Sequence, residues 1–252
     1  MTDTNASRPV PDLGGGHTVR RYDEELAKLR AIILEMGEHV VGQTQSALAA
    51  LVDREESQAY RVLDREPQID YLSLDADEEV FRVIVRRQPT AVDLRIVLAM
   101  SKIAGDVERA GDKATSIAGQ ALELKGLAGG LDELPEELKQ SFRALYDRAC
   151  CMFEQSIQAV AHFDVALSLG IFEDEPPLCE AGKELRRLLG DEERSELTPR
   201  QIVCLLTSAH ALERVGRHAS NIAEQVIYVA LGQDVRYRNR EILIETLRHQ
   251  GY

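Results

Sequence analysis

Apolar residues recur in the first half of the chain at alternating steps of four and three. The seam consists of Tyr22, Leu26, Leu29, Ile33, Met36, Val40, Gln43 and Ala47, with one polar member. A heptad seam of this kind is typical of a long helix lying nearly antiparallel to its neighbours in a bundle. We therefore predict a helix from Thr18 to about Val52.

The second half opens with a seam of the same period. It consists of Leu138, Phe142, Leu145, Ala149, Met152, Ser156, Ala159 and Phe163. This pattern predicts another long helix, from Pro135 to about Leu169.

Breaks in the pattern divide the rest of the first half. Ser57 is a suitable N-cap for a second helix, and Pro67 is expected to interrupt or restart it because proline is costly in a helix interior. An apolar face then continues from Gln68 to Arg87, where Gln88-Pro89 ends it. Thr90 is expected to cap a third helix that ends near Lys125.

The second half repeats this order. Glu175-Pro176-Pro177 stands where Glu66-Pro67 stands in the first half, and a further helix is expected to run to about Leu189. Thr198 and Pro199 then have the residue types of an N-cap and first helical position for a sixth helix, ending near Leu231. A short helix from Arg238 to Arg248 is expected to close the chain.

A duplicated stretch ties the two halves together. Asp106 to Gln120 is repeated, at an offset of 105 residues, by Glu213 to Gln225, with Glu, Arg, Gly, Ala, Ile and Gln at equivalent positions. Strand patterns are almost absent. We predict an all-α protein of two tandem three-helix bundle repeats.

The glycine-rich run from Gly126 to Gly130 separates the repeats. We expect a disordered N-terminal tail at 1–16, a first repeat at 17–126, a second repeat at 131–235 and a short C-terminal helix or tail at 236–252.

Charge and cysteine content narrow the class of protein. The formal net charge is −13, from 43 acidic and 30 basic residues, which disfavours nucleic acid as a partner. The four cysteines form no CxxC pair, so a reducing, cytoplasmic location is expected. The N-terminus lacks the apolar run of a signal peptide, and no apolar stretch approaches the roughly 20 residues of a membrane span, so direct membrane insertion is not expected.

The duplicated stretch also carries the candidate chemistry. Glu108 and Asp112 lie four residues apart and would share one helix face, among small residues that allow a neighbouring helix to approach. Carboxylates held there need a cation or a hydrogen-bond partner, since an unpaired buried charge is strongly unfavourable. Arg109 and Lys113 could supply it as ion pairs, and a metal ion is the alternative.

Two motifs resemble a known family. Arg87 to Arg95 (RQPTAVDLR), followed by Glu108 to Asp112 (ERAGD), is similar to the signature of the PhoU family. The segment around 17–26, Asn221 to Glu224 and the ending Gly232 to Arg236 also fit. The resemblance implies two repeats related by a pseudo-twofold axis and assembly as a homodimer.

The resemblance also implies a function. Family members are expected to be cytoplasmic negative regulators of phosphate uptake and of the phosphate-starvation genes. They are expected to connect the ATPase subunit of the phosphate ABC transporter to the phosphate-sensing histidine kinase.

Family resemblance implies metal clusters built from carboxylates on the second and third helices of each repeat. In the first repeat the matching residues are Glu66 with Asp70 and Glu108 with Asp112, a set that suits iron, zinc, manganese or magnesium. Glu66 has an alternative role: if Pro67 begins a new helix, the Glu66 carboxylate would cap the backbone amides of that helix instead of binding a metal.

In the second repeat the corresponding pairs are degenerate. Glu175 is followed by Cys179, and Glu213 by Arg217. Arg217 cannot become a ligand, and we expect it to form a salt bridge with Glu213 instead. His218 is a weaker candidate ligand, since it is rotated by about 100° from Arg217 around the helix.

Several charged residues are candidates for partner binding. They are Arg87, Asp93, Arg95, Arg109 and Arg214. The alternative for Asp93 is a local role, in which a carboxylate in the first turn interacts favourably with the helix dipole and a nearby arginine.

Three functions remain open from the sequence. A non-enzymatic regulatory adaptor is favoured, because nucleotide-loop, hydrolase and di-iron motifs are missing from the sequence. A metal-dependent hydrolase or oxidase using the first-repeat carboxylates is the alternative from a different class. The third is a regulator of a low-affinity phosphate permease.

Overall fold

Seven α-helices make up the described part of the chain. The structure is a computed structural model, and it describes residues 20–127, 134–191 and 197–252. The helices are α1 (Arg20–Val52), α2 (Glu56–Arg87), α3 (Ala91–Gly126), α4 (Glu136–His162), α5 (Val165–Leu189), α6 (Pro199–Leu231) and α7 (Arg240–His249). No strand occurs within these ranges, which confirms the all-α fold class. The predicted disordered tail at 1–16 lies outside the described residues.

The two heptad seams form the core of the protein. All eight seam positions of the first half and all eight of the second are buried, and the polar members Gln43 and Ser156 are buried with them. Ser156 donates a hydrogen bond to the carbonyl of Phe153, which offsets the cost of burying its hydroxyl. The apolar period therefore predicted the buried faces of α1 and α4 correctly.

Two expected helix boundaries were wrong. α2 and α5 run unbroken through Pro67 and Pro176. Both rings are exposed, whereas Ile69 and Leu178, close by in sequence, are buried. Apolar burial on the inner face outweighs the backbone hydrogen bond that each proline loses. Glu66 consequently lies inside α2 and does not cap a helix start.

The predicted fourth helix is two helices in the structure. α4 ends at His162, Phe163 adopts a left-handed conformation with φ of 52°, and α5 begins at Val165. Asp164 accepts a hydrogen bond from the Leu167 amide at 3.0 Å and caps α5. The seam hides this turn, because Phe163 is buried at the expected position. At the start of α6, by contrast, Thr198 forms the predicted N-cap.

Packing follows the duplication. α1, α2 and α3 pack on one another, as do α4, α5 and α6. The halves meet mainly through α3 against α6, with α1 against α4 beside them, and α7 packs on α5. Within the described residues α2 packs only on α1 and α3. Its outer side therefore has no helix against it, whereas α5 has α7.

Two equivalent glycines set the closest approach between helices. A Cβ atom on Gly111 of α3 would lie 2.8 Å from the Cδ1 of Ile69 on α2, and one on Gly216 of α6 would lie 2.4 Å from the Cδ2 of Leu178 on α5. A larger residue at either position would require the Ile69 or Leu178 side chain to shift. The Gly of each duplicated stretch thus has the same packing role in both halves.

No helix among the described residues has the length and apolar character needed to cross a membrane.

Candidate functional site

Helices α2 and α3 bring three of the four first-repeat carboxylates into electrostatic contact. Burial is the largest cause of a raised pKa at Glu108, and the negative charges of Asp112 and Asp70 raise that pKa further. Glu66 is not among the groups that act on Glu108. Across the described ranges, no three His, Cys, Asp or Glu side chains are placed to hold a metal ion together. The metal site stays a prediction.

The expected ion pairs to these carboxylates do not form. Arg109 lies 3.7 Å from Asp106 and acts on Glu108 only at longer range. Over the described residues, neither Glu108 nor Asp112 has a basic group within salt-bridge distance, and Lys113 makes no ion pair. Within the described residues, Glu108 and Asp112 of the first repeat therefore have no salt-bridge partner.

In the second repeat, Glu213 is neutralised by a residue that the sequence did not suggest. Arg186 of α5 lies 2.5 Å from the Glu213 carboxylate, and His210 lies 3.9 Å from it. The predicted salt bridge from Arg217 was wrong: among the described residues Arg217 is not within salt-bridge distance of Glu213, although both side chains line the same small cavity. Gly182 makes room for the arrangement, because a Cβ there would collide with Glu213.

The first repeat lacks an equivalent of this arginine. The offset that matches Glu66 to Glu175 places Asp77 at the position of Arg186. Two acidic clusters of common origin thus differ in charge balance, with one internally paired and the other open to a cation.

A larger polar cavity lies where α3 meets α6. It measures about 720 Å³ and is lined by α3, α6, Glu175 of α5, the segment 236–238 and Arg240 of α7. At its inner wall Asp106 accepts hydrogen bonds from His218 Nδ1 at 2.8 Å and Asn221 Nδ2 at 3.0 Å. His218 therefore binds across the boundary between halves through Nδ1, and its role as a weaker candidate metal ligand stays a prediction.

Arg240 closes the far end of this cavity. Its guanidinium lies 2.6 Å from Glu224, 3.4 Å from Glu175 and 3.9 Å from the ring centroid of Phe172. Burial raises the pKa of Glu224, and the hydrogen bond from Arg240 opposes that rise. One arginine thereby balances two carboxylates and ties α7 to α5 and α6.

Comparison with known proteins decides the family. The family model described as "PhoU domain" matches residues 33–121 and 142–226, one copy in each half. The chain belongs to the PhoU family.

Relatives and solved structures agree with this assignment. A protein from Burkholderia sp, named phosphate-specific transport system accessory protein PhoU homolog, is 35% identical over 91% of this chain and 97% of its own length. The crystal structure of PhoU from Pseudomonas aeruginosa is 31% identical, with a TM-score of 0.76 over 84% of this chain and 100% of that one. The crystal structure of the phosphate transport system regulatory protein PhoU from Streptococcus pneumoniae is 21% identical to this chain. It has a TM-score of 0.75, over 85% of this chain and 99% of the Streptococcus pneumoniae chain, which supports the fold.

Two residues of the PhoU signature segment make internal contacts. Arg87 forms a two-pronged salt bridge with Glu25, at 2.8 and 2.9 Å, and joins α2 to α1. Arg95 lies 5.9 Å from the ring of Tyr228 and packs against Gly232 at the end of α6. Their contacts are those of residues that hold the PhoU fold together, and their predicted role in partner binding stays untested.

The other partner-binding candidates occupy different surfaces. Asp93 lies at the start of α3, where its charge contributes to the raised pKa of the buried Tyr22 hydroxyl, after burial itself. Arg109 lines the large cavity, and Arg214 lines a smaller one of about 130 Å³ beside Glu213. These side chains do not form one patch on this PhoU protein.

The adjacent cysteines of α4 differ in exposure. Cys150 is buried, as is Cys204 on α6, and burial raises the pKa of Cys150 to about 12. Cys151 is exposed, because it lies one position further around the same helix.

Arg186 and Arg240 carry little signal at the level of sequence. Both are far in sequence from the carboxylates they pair with, at separations of 27 from Glu213 and 16 from Glu224. Asn221 did carry a signal, since it belongs to the motif that resembles the family, but its partner Asp106 was not identified.

Proposed function

We propose that the protein is a non-enzymatic, cytoplasmic regulator of phosphate uptake that works by binding other proteins. Its targets are the ATPase subunit of a phosphate ABC transporter and the phosphate-sensing histidine kinase, and its effect on the phosphate-starvation genes is negative. The proposal draws on family membership, since relatives are named accessory proteins of the phosphate-specific transport system.

The observation that carries the proposal is an exposed apolar row on the outer side of α2, called here the α2 row. It consists of Tyr71, Leu74, Phe81 and Val85, which are 56 to 69% exposed. Their spacing places them on one helix face, over roughly 20 Å at 1.5 Å per residue. Large apolar side chains exposed on one helix face are typical of a surface that binds another protein.

The second repeat offers a direct contrast. By the α2-to-α5 offset, Glu180 and Lys183 occupy the positions of Tyr71 and Leu74, and they form an exposed ion pair at 3.2 Å. Two helices of common origin thus differ in surface chemistry, and the apolar version is the one without a covering helix. Packing among the described residues does not cover the α2 row.

Charge indicates what binds there. The exposed carboxylates of Asp75, Asp77 and Glu78 border the α2 row, whereas the nearby Arg82 is occupied by Glu79 at 2.5 Å. An apolar groove with a basic rim would complement this surface. We assign the α2 row to the transporter ATPase subunit.

A pull-down from phosphate-replete cells tests the assignment. Leu74→Glu and Phe81→Glu should abolish recovery of the ATPase subunit, while Ile242→Glu, an equally exposed apolar position on α7, should not. Circular dichroism should show unchanged helix content, since all three side chains are exposed. Equal recovery with the α2 variants and the control would refute this docking surface, and recovery of a low-affinity phosphate permease would identify a different transporter.

A starvation-gene reporter tests the regulatory part. Deleting the gene should raise reporter expression in phosphate-replete cells, and the wild-type gene should restore repression. Unchanged expression in the deletion strain would contradict negative regulation.

A further inference from the structure

The large cavity between α3 and α6 has an unusual charge balance for this protein. Six cationic side chains line it, against three carboxylates, although the chain as a whole has a net charge of −13. The cations are Lys102, Arg109, Arg217, Arg236, Arg238 and Arg240, and the carboxylates are Asp106, Glu175 and Glu224.

All three carboxylates already have partners. Asp106 accepts hydrogen bonds from His218 and Asn221, and Arg240 binds both Glu175 and Glu224. They are therefore not free to balance the remaining cations.

Several cations of the cavity lack a counter-charge. Within the described ranges, Lys102, Arg217 and Arg238 form no ion pair, and Arg109 comes only within 3.7 Å of Asp106. Arg236 is held by Asp234, at 2.6 Å. Unpaired cations gathered around one cavity create a positive potential that attracts an anion.

Within the described residues, three buried polar atoms of the wall have no hydrogen-bond partner. They are the hydroxyl of Ser220, the side-chain oxygen of Gln225 and Nη1 of Arg240, and Ser220 and Gln225 are only 1% and 6% exposed. Buried polar atoms without partners are uncommon, because leaving them unsatisfied costs free energy. A polar ligand in the cavity would satisfy them.

We propose that this cavity binds a phosphorylated small molecule of nucleotide size. Guanidinium groups match phosphate oxygens with paired hydrogen bonds, which favours a phosphoryl group as the anion. The volume of about 720 Å³ falls in the range of small-molecule sites and greatly exceeds a free phosphate ion. Tyr237 lies at the mouth, fully exposed, and offers a ring for a base to stack on. The proposal does not depend on the docking assignment of the α2 row.

Isothermal titration calorimetry on the full-length protein in EDTA tests the proposal with ATP, inorganic phosphate and adenosine as probes. ATP should bind, and added salt should weaken it, because the attraction is electrostatic. Arg217→Gln and Arg238→Gln should each weaken ATP binding about tenfold, the effect of losing one charge-assisted hydrogen bond. Arg61→Gln, the same charge change at an exposed site of α2 away from the cavity, should alter the dissociation constant less than twofold.

Thermal unfolding without ligand separates binding from folding. Within the described ranges Arg217 and Arg238 have no ion pair to lose, so both variants should unfold at the wild-type temperature or slightly above it. Adenosine binding as tightly as ATP would overturn the proposal, as would ATP binding that neither cavity variant weakens. Inorganic phosphate binding as tightly as ATP would assign the cavity to the free ion and overturn the nucleotide-sized ligand.

Discussion

Asp106 is the polar residue whose removal should most weaken the contact between the two halves. It is buried on α3 and accepts hydrogen bonds from two residues of α6, His218 at 2.8 Å and Asn221 at 3.0 Å. Asp106→Ala would leave both donors without that acceptor. A buried donor left unsatisfied costs about 1–3 kcal/mol. His218 is 3% exposed and bears this cost fully, whereas Asn221 lines the cavity and can bind water.

We therefore expect Asp106→Ala to lower the free energy of unfolding by about 2–4 kcal/mol. In a chain of this length that corresponds to a fall in melting temperature of roughly 4–16 °C. Reversible urea unfolding of Asp106→Ala, His218→Ala and the double variant gives the coupling energy between the two side chains, expected at about 1–3 kcal/mol. Asp112→Ala, an exposed carboxylate on the same helix without an ion pair, should change stability by less than about 0.5 kcal/mol.

Two results would refute this reasoning. A coupling energy near zero would mean that the Asp106–His218 hydrogen bond does not stabilise the fold. Equal effects of Asp106→Ala and Asp112→Ala would mean that burial and cross-helix bonding do not distinguish the two positions.

Three further predictions follow from the structure. Burial, Asp112 and Asp70 raise the pKa of Glu108 above its ordinary 4.5, so ionised Glu108 opposes folding. Glu108→Gln should therefore raise the melting temperature in EDTA at pH 7, and this gain should disappear as the pH falls below about 4. No gain at pH 7 would contradict the argument. Mn²⁺ should raise the melting temperature of the wild type more than that of Glu108→Gln if the first-repeat carboxylates bind it, and identical shifts would count against that metal site. Gly216→Val should destabilise the protein by about 1–3 kcal/mol, because the added side chain would contact Leu178. Gly119→Ala should stabilise it by about 0.5–1 kcal/mol, because its new methyl group meets no atom within 4 Å. Urea unfolding measures both effects, and a Gly216→Val variant as stable as the wild type would rule out tight packing at that position.

The contrast between the acidic clusters is the feature most relevant to metal binding. In the first repeat Glu108 has carboxylates around it and no salt bridge within the described part of the chain, whereas Glu213 in the second repeat is paired with Arg186. A divalent cation would relieve repulsion at the first site and would have to displace an arginine at the second. Any metal binding should therefore be confined to the first repeat.

The sequence by itself determined the helices and their buried faces. A heptad seam requires only that apolar residues repeat with the period of the helix, so the buried sides of α1 and α4 follow from spacing alone. The same local logic placed Thr198 at the start of α6 and made the duplication visible. It failed at Phe163, where an apolar residue continues the seam while the backbone turns, and at Pro67, where burial overrides the cost of proline.

Only the tertiary structure decided which charges meet and which faces remain exposed. Glu213 has Arg217 one helical turn away, yet its partner is Arg186 on another helix, because the packing of α5 against α6 places that guanidinium 2.5 Å from the carboxylate. The cavity combines Asp106 with residues more than a hundred positions later, and the α2 row is exposed because α7 packs on α5 instead. Helix period fixes one face of each helix, whereas the partners of the other faces depend on how the helices are packed together.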